Sequence, residues 1–402
     1  MAEGSTSETI VPIQRKDYRR TIRARVQEAI EEILEEELEA ALGARRYQRG
    51  EQRRGYRNGR EEREVVTANG PVALGVPRGR LFDKDGGSSE WRSDLLPRYQ
   101  RRTREVNEAI LGCYLGGVNT RRVRRSLKPL LGEQLLSRSS ISRLVARLKN
   151  LFERWRERDL SEEKVLIVYL DAMRLAVRLV RRVVKVPVQA SVGVLADGRK
   201  VLLSLEIASS ESNASWHLAV KALADRGLGC PQLVIVDGNQ GLSNAIRSHW
   251  AGALVQRCTF HKLENLLAKA PKHCHDELKR DYRGIVDAEN LEAAEEARSA
   301  FVAKWSGLSK EVVRSLEEAG EELLTFYRFP RSMWKCLRTT NPIERLNEEF
   351  RRRTKTQGSF PNEESALVLM FGLVAMGQIQ LRRIDGWKDL AYVVAMGLAA
   401  AA

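Results

Sequence analysis

The chain is 402 residues long and carries 68 Lys and Arg against 53 Asp and Glu, a formal net charge of +15. That length predicts about two to four domains with their own cores, and the clustered positive excess points to a polyanionic partner, most simply nucleic acid; a solubility surplus or an anionic membrane surface is the plainer reading. There is no apolar run long enough to span a membrane, no signal-peptide core at the start, and the scattered cysteines, Cys113, Cys230, Cys258, Cys274 and Cys336, fit a reducing cytoplasm better than a disulfide framework.

Residues 1–8 are small or polar and read as disordered. Residues 17–43 read as a helix: Ile22, Val26, Ile30, Ile33, Leu34, Leu38 and Leu42 recur at helical spacing, and Gly43 ends it. Its acids oppose the basic trend, so segment 1–44 is assigned to packing or oligomerisation rather than to DNA. Residues 45–60 are rich in Arg and Gly, with Tyr47 and Tyr56 interleaved. Guanidinium groups fork onto phosphates and rings stack, which makes Arg53, Arg54 and Arg57 expected DNA contacts; a solvated basic loop is the alternative. Residues 63–67 and 72–77 flank Asn69-Gly70-Pro71 and predict a short hairpin. Residues 84–89 read as a mobile loop, completing a segment 45–96.

Residues 97–155 read as a helical DNA-binding unit. Val106, Ile110, Leu111, Tyr114 and Leu115 mark a first helix, broken at Gly116-Gly117. Residues 120–128 make a short basic second helix, with Arg121 and Arg122, stopped by Pro129. Residues 137–150 make a third. The set suggests a helix-turn-helix whose last helix presents Ser139, Ser142, Arg143 and Arg147 to DNA; three-helix packing without DNA is the alternative.

Segment 156–261 opens on Lys164-Val-Leu-Ile-Val-Tyr-Leu-Asp171, a buried strand ending in an acid, followed by antiparallel strands. A second run, Gln232-Leu-Val-Ile-Val-Asp237, ends the same way before a helix begins near Leu242. Between them a helix runs to about Asp225, with Trp216 in a structural place near its start. An Asp after a strand is ordinarily a turn former or helix cap, and only the fold could bring Asp171 and Asp237 together. Cys258 and His261 offer half of a zinc site, with His273, Cys274 and His275 as the other half; the alternative has Cys258 and His261 shaping the core beside the site and touching DNA.

Residues 262–338 are helix-forming and charged, too long for a simple strand-to-helix link. Segment 339–402 then begins with Thr340-Asn341-Pro342-Ile343-Glu344-Arg345-Leu346-Asn347. Pro342 suits a first helical turn, with Thr340 or Asn341 as cap. Ile343, Leu346 and Phe350 share one face, and Glu344 and Arg351 share another. Arg351, Arg352, Arg353 and Lys355 suit a phosphate backbone, or a solvated helix end favoured by the dipole. Residues 365–381 predict an apolar helix and residues 394–402 a frayed end.

Six short motifs, in order, resemble those of Mutator-type bacterial insertion-sequence transposases of the Asp-Asp-Glu group: Arg54-Gly55-Tyr56-Arg57-Asn58-Gly59, Leu96-Pro97-Arg98-Tyr99, Tyr169-Leu170-Asp171, Val236-Asp237-Gly238, Arg257-Cys258-Thr259-Phe260-His261, and residues 340–347 above. Singly they are weak; their order and spacing are specific. The resemblance implies an α/β catalytic core, a ribonuclease H-like mixed sheet flanked by helices, interrupted by the all-helical insertion 262–338. It also implies an N-terminal, mostly helical DNA-binding region that includes the helix-turn-helix.

The activity so implied is binding of terminal inverted repeats, then metal-dependent cleavage and strand transfer on double-stranded DNA, including a target. A homodimer or larger assembly would act on the nucleoid in the bacterial cytoplasm, without membrane or small-molecule substrate. Asp171, Asp237 and Glu344 would be catalytic and hold two Mg²⁺ ions, for which Mn²⁺ can substitute. Asp171 would bridge the two, Asp237 would hold one and Glu344 the other. Position alone does not choose among Glu344, Glu348 and Glu349; the family pattern selects Glu344. The family carries Cys258 and His261 as a signature without an established zinc centre. An inactive DNA binder and another nuclease of the same fold, such as a junction resolvase, are the competing readings.

Overall fold

A computed structural model of the chain describes residues 15–48, 50, 53–83, 85–116, 118, 123, 126–127, 138–179, 182–208, 212–355, 360 and 362–401. By contacts the chain divides into two units, Met1–Ala146 and Arg147–Ala402. The division falls inside a helix.

In the first unit α1 (Arg15–Leu42) buries Leu34, Leu38 and Leu42, one turn apart, against a three-stranded antiparallel sheet. The sheet comprises β1 (Gly55–Thr67), β2 (Gly70–Phe82) and β3 (Ser88–Glu90). Leu34, Val65, Val72, Leu74, Val76 and Leu96 form its core. The hairpin is far longer than its apolar residues predict, and the Arg/Gly stretch from Gly55 onward is strand rather than loop. The reason is ion pairing across layers. Arg57 is paired with Glu35 and Glu39 of α1, and Arg60 with Glu35 at 3.2 Å. Glu31 accepts from the Gly75 amide at 2.8 Å, and Glu37 from Ser93 Oγ and the Leu95 amide. Of the two roles expected for this helix, packing or oligomerisation, Glu31, Glu35, Glu37 and Glu39 serve packing within their own unit.

Helix α2 (Arg104–Leu115) buries Val106, Ile110, Tyr114 and Leu115, as its spacing predicts. The helix α3 (Arg138–Arg156) continues past its expected end at 150 because Phe152 extends the buried row of Ile141, Leu144 and Leu148. Arg121, Arg122 and the side chain of Ser139 lie outside the described residues, as does most of the expected second helix.

The second unit is built on a mixed five-stranded sheet in the order β6-β5-β4-β7-β8. Strands β4 (Val165–Leu179), β5 (Arg182–Leu195) and β6 (Lys200–Ile207) are antiparallel neighbours. The strands β7 (Leu233–Val236) and β8 (Leu254–Arg257) run parallel to β4. Ile167 to Leu170 and all of β7 are fully buried, as continuous apolar runs at a sheet centre should be. Strand β4 does not stop at Asp171. Asp171 pairs with Ala190 in mid-ladder, and Met173, Leu175 and Val177 continue the buried alternation beyond it.

Helices α4 (Asn213–Asp225) and α5 (Gln240–His249) pack Trp216, Val220, Leu223, Leu242 and Ile246 into the sheet's core. Residues 262–338 are helical with no strand, as expected, and include α7 (His275–Val286), α8 (Leu291–Leu308) and α9 (Lys310–Ala319) after α6 (Thr259–Lys269). Helix α10 (Asn341–Lys355) packs on β4, followed by α11 (Glu363–Ala375) and α12 (Leu390–Ala401). Helix α11 ends earlier than predicted, near Gly377 at φ 69°. The alanine-rich tail, expected to fray, is helical. Among the described residues no helix is long and apolar enough to cross a membrane.

Candidate active site

The parallel pairing of β4 with β7 sets Ile167 beside Leu233, Val168 beside Val234 and Tyr169 beside Ile235. The same register carried two residues further puts Asp171 level with Asp237. Their long separation in sequence is thus a strand register. Asp237 follows the last residue of β7, and its Oδ1 accepts from the Asn239 amide at 3.0 Å. Between them Gly238 has φ 102°. Its carbonyl accepts from Arg257 Nη2 at 2.8 Å. Arg257 and Lys262, both buried, share Glu318 of α9 at 3.0 and 2.9 Å. Two buried cations tied to an exposed glutamate brace the turn from behind, and nothing local in the sequence signals it.

Asp171 is half-buried. Its Oδ1 accepts from the Ala172 amide at 2.8 Å and its Oδ2 from Asn347 Nδ2 at 2.7 Å. Burial pushes its pKa up to about 6; Asp237 and Glu344 push the same way, against the hydrogen bonds from Ala172 and Asn347. The three acids therefore share one electrostatic neighbourhood. Asn347 is fully buried and its Oδ1 has no protein partner. It belongs to a quoted motif, but its contact with Asp171 was not foreseen; the available signal was its place one turn after Glu344 on α10.

Glu344 occupies the first turn of α10. Thr340 Oγ1 donates to its Oε1, and His261 Nδ1 lies 3.9 Å from the same oxygen. The Thr340 hydroxyl also stands 3.3 Å from Cys258 Sγ and 3.4 Å from His261 Nδ1. Thr340 caps α10 through its carbonyl, which accepts from the Ile343 and Glu344 amides, and not through its side chain. On the same helix Glu348 is exposed and Glu349 pairs with Arg352, whereas Glu344 is half-buried beside Thr340 and His261 and its charge is felt at Asp171.

Cys258 is fully buried at the start of α6. Burial raises its thiol pKa, but hydrogen bonds with His261 and Thr340 outweigh burial and leave it below the ordinary value. The hydrogen bond with Cys258 raises His261 to about 9 against burial, with Cys258, Glu344 and Asp237 adding to the rise. An imidazolium thus faces Glu344. The zinc half-site expected from Cys258 and His261 does not draw in His273, Cys274 or His275. Among the described residues the third potential ligand within reach is Glu344, and His275 Nε2 instead lies 3.2 Å from the Ala270 carbonyl oxygen.

Carboxylate oxygens from Asp171, Asp237 and Glu344 are hard donors of the kind Mg²⁺ and Mn²⁺ take. A cation among them would offset the burial, and the neighbouring carboxylates, that raise Asp171. The donor set fits such ions.

Of the expected DNA-contacting residues, Arg143, Arg147, Arg351 and Lys355 are exposed and Arg353 is half-buried. Arg352 pairs with Glu349. Arg53 donates to the Gly55 carbonyl at 2.7 Å and Arg54 to that of Ala40 at 3.1 Å. Arg57 is a correction: its side chain is only 21% exposed and is held between two glutamates, so it ties β1 to α1.

A profile described as "Transposase, Mutator family" matches residues 4–380. The chain is 36% identical over 322 residues to the transposase for insertion sequence element ISRM5 of Rhizobium meliloti, covering 80% of this chain and 79% of that one. It is 36% identical over 327 residues to the transposase for insertion sequence element IS406 of Burkholderia multivorans, covering 81% and 82%. It is 32% identical over 318 residues to the transposase for insertion sequence element IS256 in transposon Tn4001 of Staphylococcus aureus, covering 79% of each. Among solved structures, the Drosophila P element transposase strand transfer complex aligns with 79% of this chain and 88% of its own at 11% identity and a TM-score of 0.31, too low to bear on the fold.

Proposed function

The chain belongs to the Mutator family of transposases, and we propose that it binds the terminal inverted repeats of its own insertion sequence and cuts and joins DNA strands at Asp171, Asp237 and Glu344. In this reading the mixed sheet of the second unit is a ribonuclease H-like core and residues 97–155 hold a helix-turn-helix. Residues 262–338 are its helical insertion. The observation that supports it is the parallel register that levels Asp171 with Asp237, with the charges of Asp237 and Glu344 both felt at Asp171.

Asp171, Asp237 and Glu344 would hold Mg²⁺, which when bound would neutralise charge on the attacking and leaving oxygens. The chain's own groups do the rest. Asn347 fixes the orientation of Asp171, and His261 and Thr340 hold Glu344 by charge and hydrogen bond. Water attacks one phosphodiester and breaks its bond to the 3′ oxygen, leaving a 3′-hydroxyl and a 5′-phosphate; that hydroxyl attacks a second phosphodiester, bonds to its phosphorus and displaces that strand's own 3′ oxygen as a hydroxyl. No covalent enzyme intermediate is required. Two element ends must meet, so the protein acts on DNA as a dimer or larger assembly.

The test is cleavage and joining of end-bearing DNA with Mg²⁺. Asp171→Ala, Asp237→Ala and Glu344→Ala should each abolish both steps and leave end binding nearly intact. Glu348→Ala should be much milder. Retained joining in Glu344→Ala with loss in Glu348→Ala would move the third acid one turn along α10. Binding without any nicking by the wild type would favour an inactive DNA binder.

A further inference from the structure

The tetrapeptide Arg-Tyr-Gln-Arg occurs twice in the first unit, at residues 46–49 and 98–101. Both copies fold into the same β-turn. The Gln48 amide donates to the Arg45 carbonyl and the Gln100 amide to the Pro97 carbonyl, each at 3.1 Å. The tyrosine stands at the third position of each turn with φ 68° at Tyr47 and 70° at Tyr99. That position ordinarily takes Gly or Asn. Among the described residues these two tyrosines are the only non-glycine residues with positive φ. Among the described residues they are also the two most exposed large hydrophobic side chains, at 91% and 81%. In each, the preceding arginine lies over one face of the ring, Arg46 at 5.2 Å and Arg98 at 5.4 Å.

Folding alone explains neither a strained backbone under a bulky residue nor an aromatic ring held out in water. Strain of this kind collects at binding sites. With one face backed by a guanidinium, each ring offers its other face to a flat partner, and an aromatic face over a cation suits a nucleobase. Tyr47 also borders an open cavity of about 670 Å³ lined by Arg46 and Arg53, with Arg57 and Arg60 on its wall held by Glu35. That volume lies within the range of small-ligand sites, such as one for a nucleotide.

We propose that Tyr47 and Tyr99 are twin stacking sites for unstacked bases of DNA, with the neighbouring arginines taking the phosphates. The bases of intact duplex cover one another's faces, so the ligand is DNA opened at a step or an end. This deepens the reading of the chain as a DNA transposase and rests on it.

The test uses the full-length protein, a short synthetic duplex, and the same duplex carrying a mismatched bubble. Wild type should bind the bubble about 5- to 100-fold more tightly, the range of one base–aromatic stack. Tyr47→Gly and Tyr99→Gly relieve the backbone strain, so they should leave the melting temperature unchanged or raised while erasing that preference. Tyr47→Phe should keep it. Glycine variants that retain the preference overturn the proposal, as does a lowered melting temperature accompanying its loss. Wild type that binds both probes equally overturns this proposal alone. Wild type that binds neither overturns the DNA reading with it.

Discussion

Asp171 combines burial with two neighbouring carboxylates, and both act on its proton. Its folded-state pKa, about 6, lies above the ordinary 3.8, so the fold favours its neutral form. The sign follows by linkage: its stabilising contribution is fully present below about pH 4 and is lost as pH rises through 6. In chelator, wild type should therefore lose stability relative to Asp171→Asn across that window. The gap should reach about 1 kcal/mol by neutral pH after discounting for partial exposure, read from melting curves at several pH values. Asn fits the site because Asn347 can turn its unpartnered Oδ1 toward the new amide. Equal melting curves at every pH would remove the electrostatic cluster from the argument. Asn347→Ala removes the donor that holds the ionised form of Asp171. It should slow cleavage by roughly 10- to 100-fold, the order seen when groups supporting a metal ligand are lost. It should also shift the acid limb of the pH–rate profile upward, a shift that a simple packing defect would not produce.

At the scale of elements, legibility depended on whether a residue's partner was local. Helices α1 and α2 were readable because their buried rows repeat every three or four residues. The apolar run of β7 and its stop were readable because Gly238 takes a conformation few residues adopt. Strand β4 was read too short because an acid in mid-strand looks like punctuation, although Met173, Leu175 and Val177 carry the alternation on. Hairpin β1–β2 is legible at its turn, but its full length is hidden for the opposite reason. Its charged residues look like loop until Glu35 and Glu39 arrive from α1. The three acids were legible through their motifs, whereas the hand of Asn347 on Asp171 and the bracing of Gly238 by Arg257 needed the fold. The second of these is testable. A Cβ at residue 238 would stand 2.6 Å from the Arg257 guanidinium, itself pinned by bonds to Gly238 and Glu318. Gly238→Ala should destabilise the protein by about 2 kcal/mol from the left-handed backbone and the crowded guanidinium together. Denaturant unfolding measures it, and a change under half that size would mean the turn is slack.

For the whole molecule the net charge of +15 mixes two kinds of cation, those that hold the fold and those available to phosphate. Arg57, Arg257 and Lys262 belong to the first kind, each bound to glutamate and largely or fully buried. Arg351 and Lys355 are exposed on α10, the helix that carries Glu344, and belong to the second. Counterion release separates the kinds without a structure of the complex. The logarithm of the DNA association constant should fall linearly with the logarithm of salt concentration, with a slope of about −0.9 per phosphate contact. Arg351→Ala and Lys355→Ala should each make that slope shallower by about 1 and weaken binding alike on all sequences. Arg57→Ala should leave the slope near the wild-type value while lowering the melting temperature, because it unpairs Glu35 and Glu39 beneath the hairpin. Binding titrations over a salt series, with a melting curve for each variant, measure both effects. A slope as strongly reduced in Arg57→Ala as in Arg351→Ala would mean that Arg57 leaves its glutamates when DNA binds, and that β1 faces the duplex.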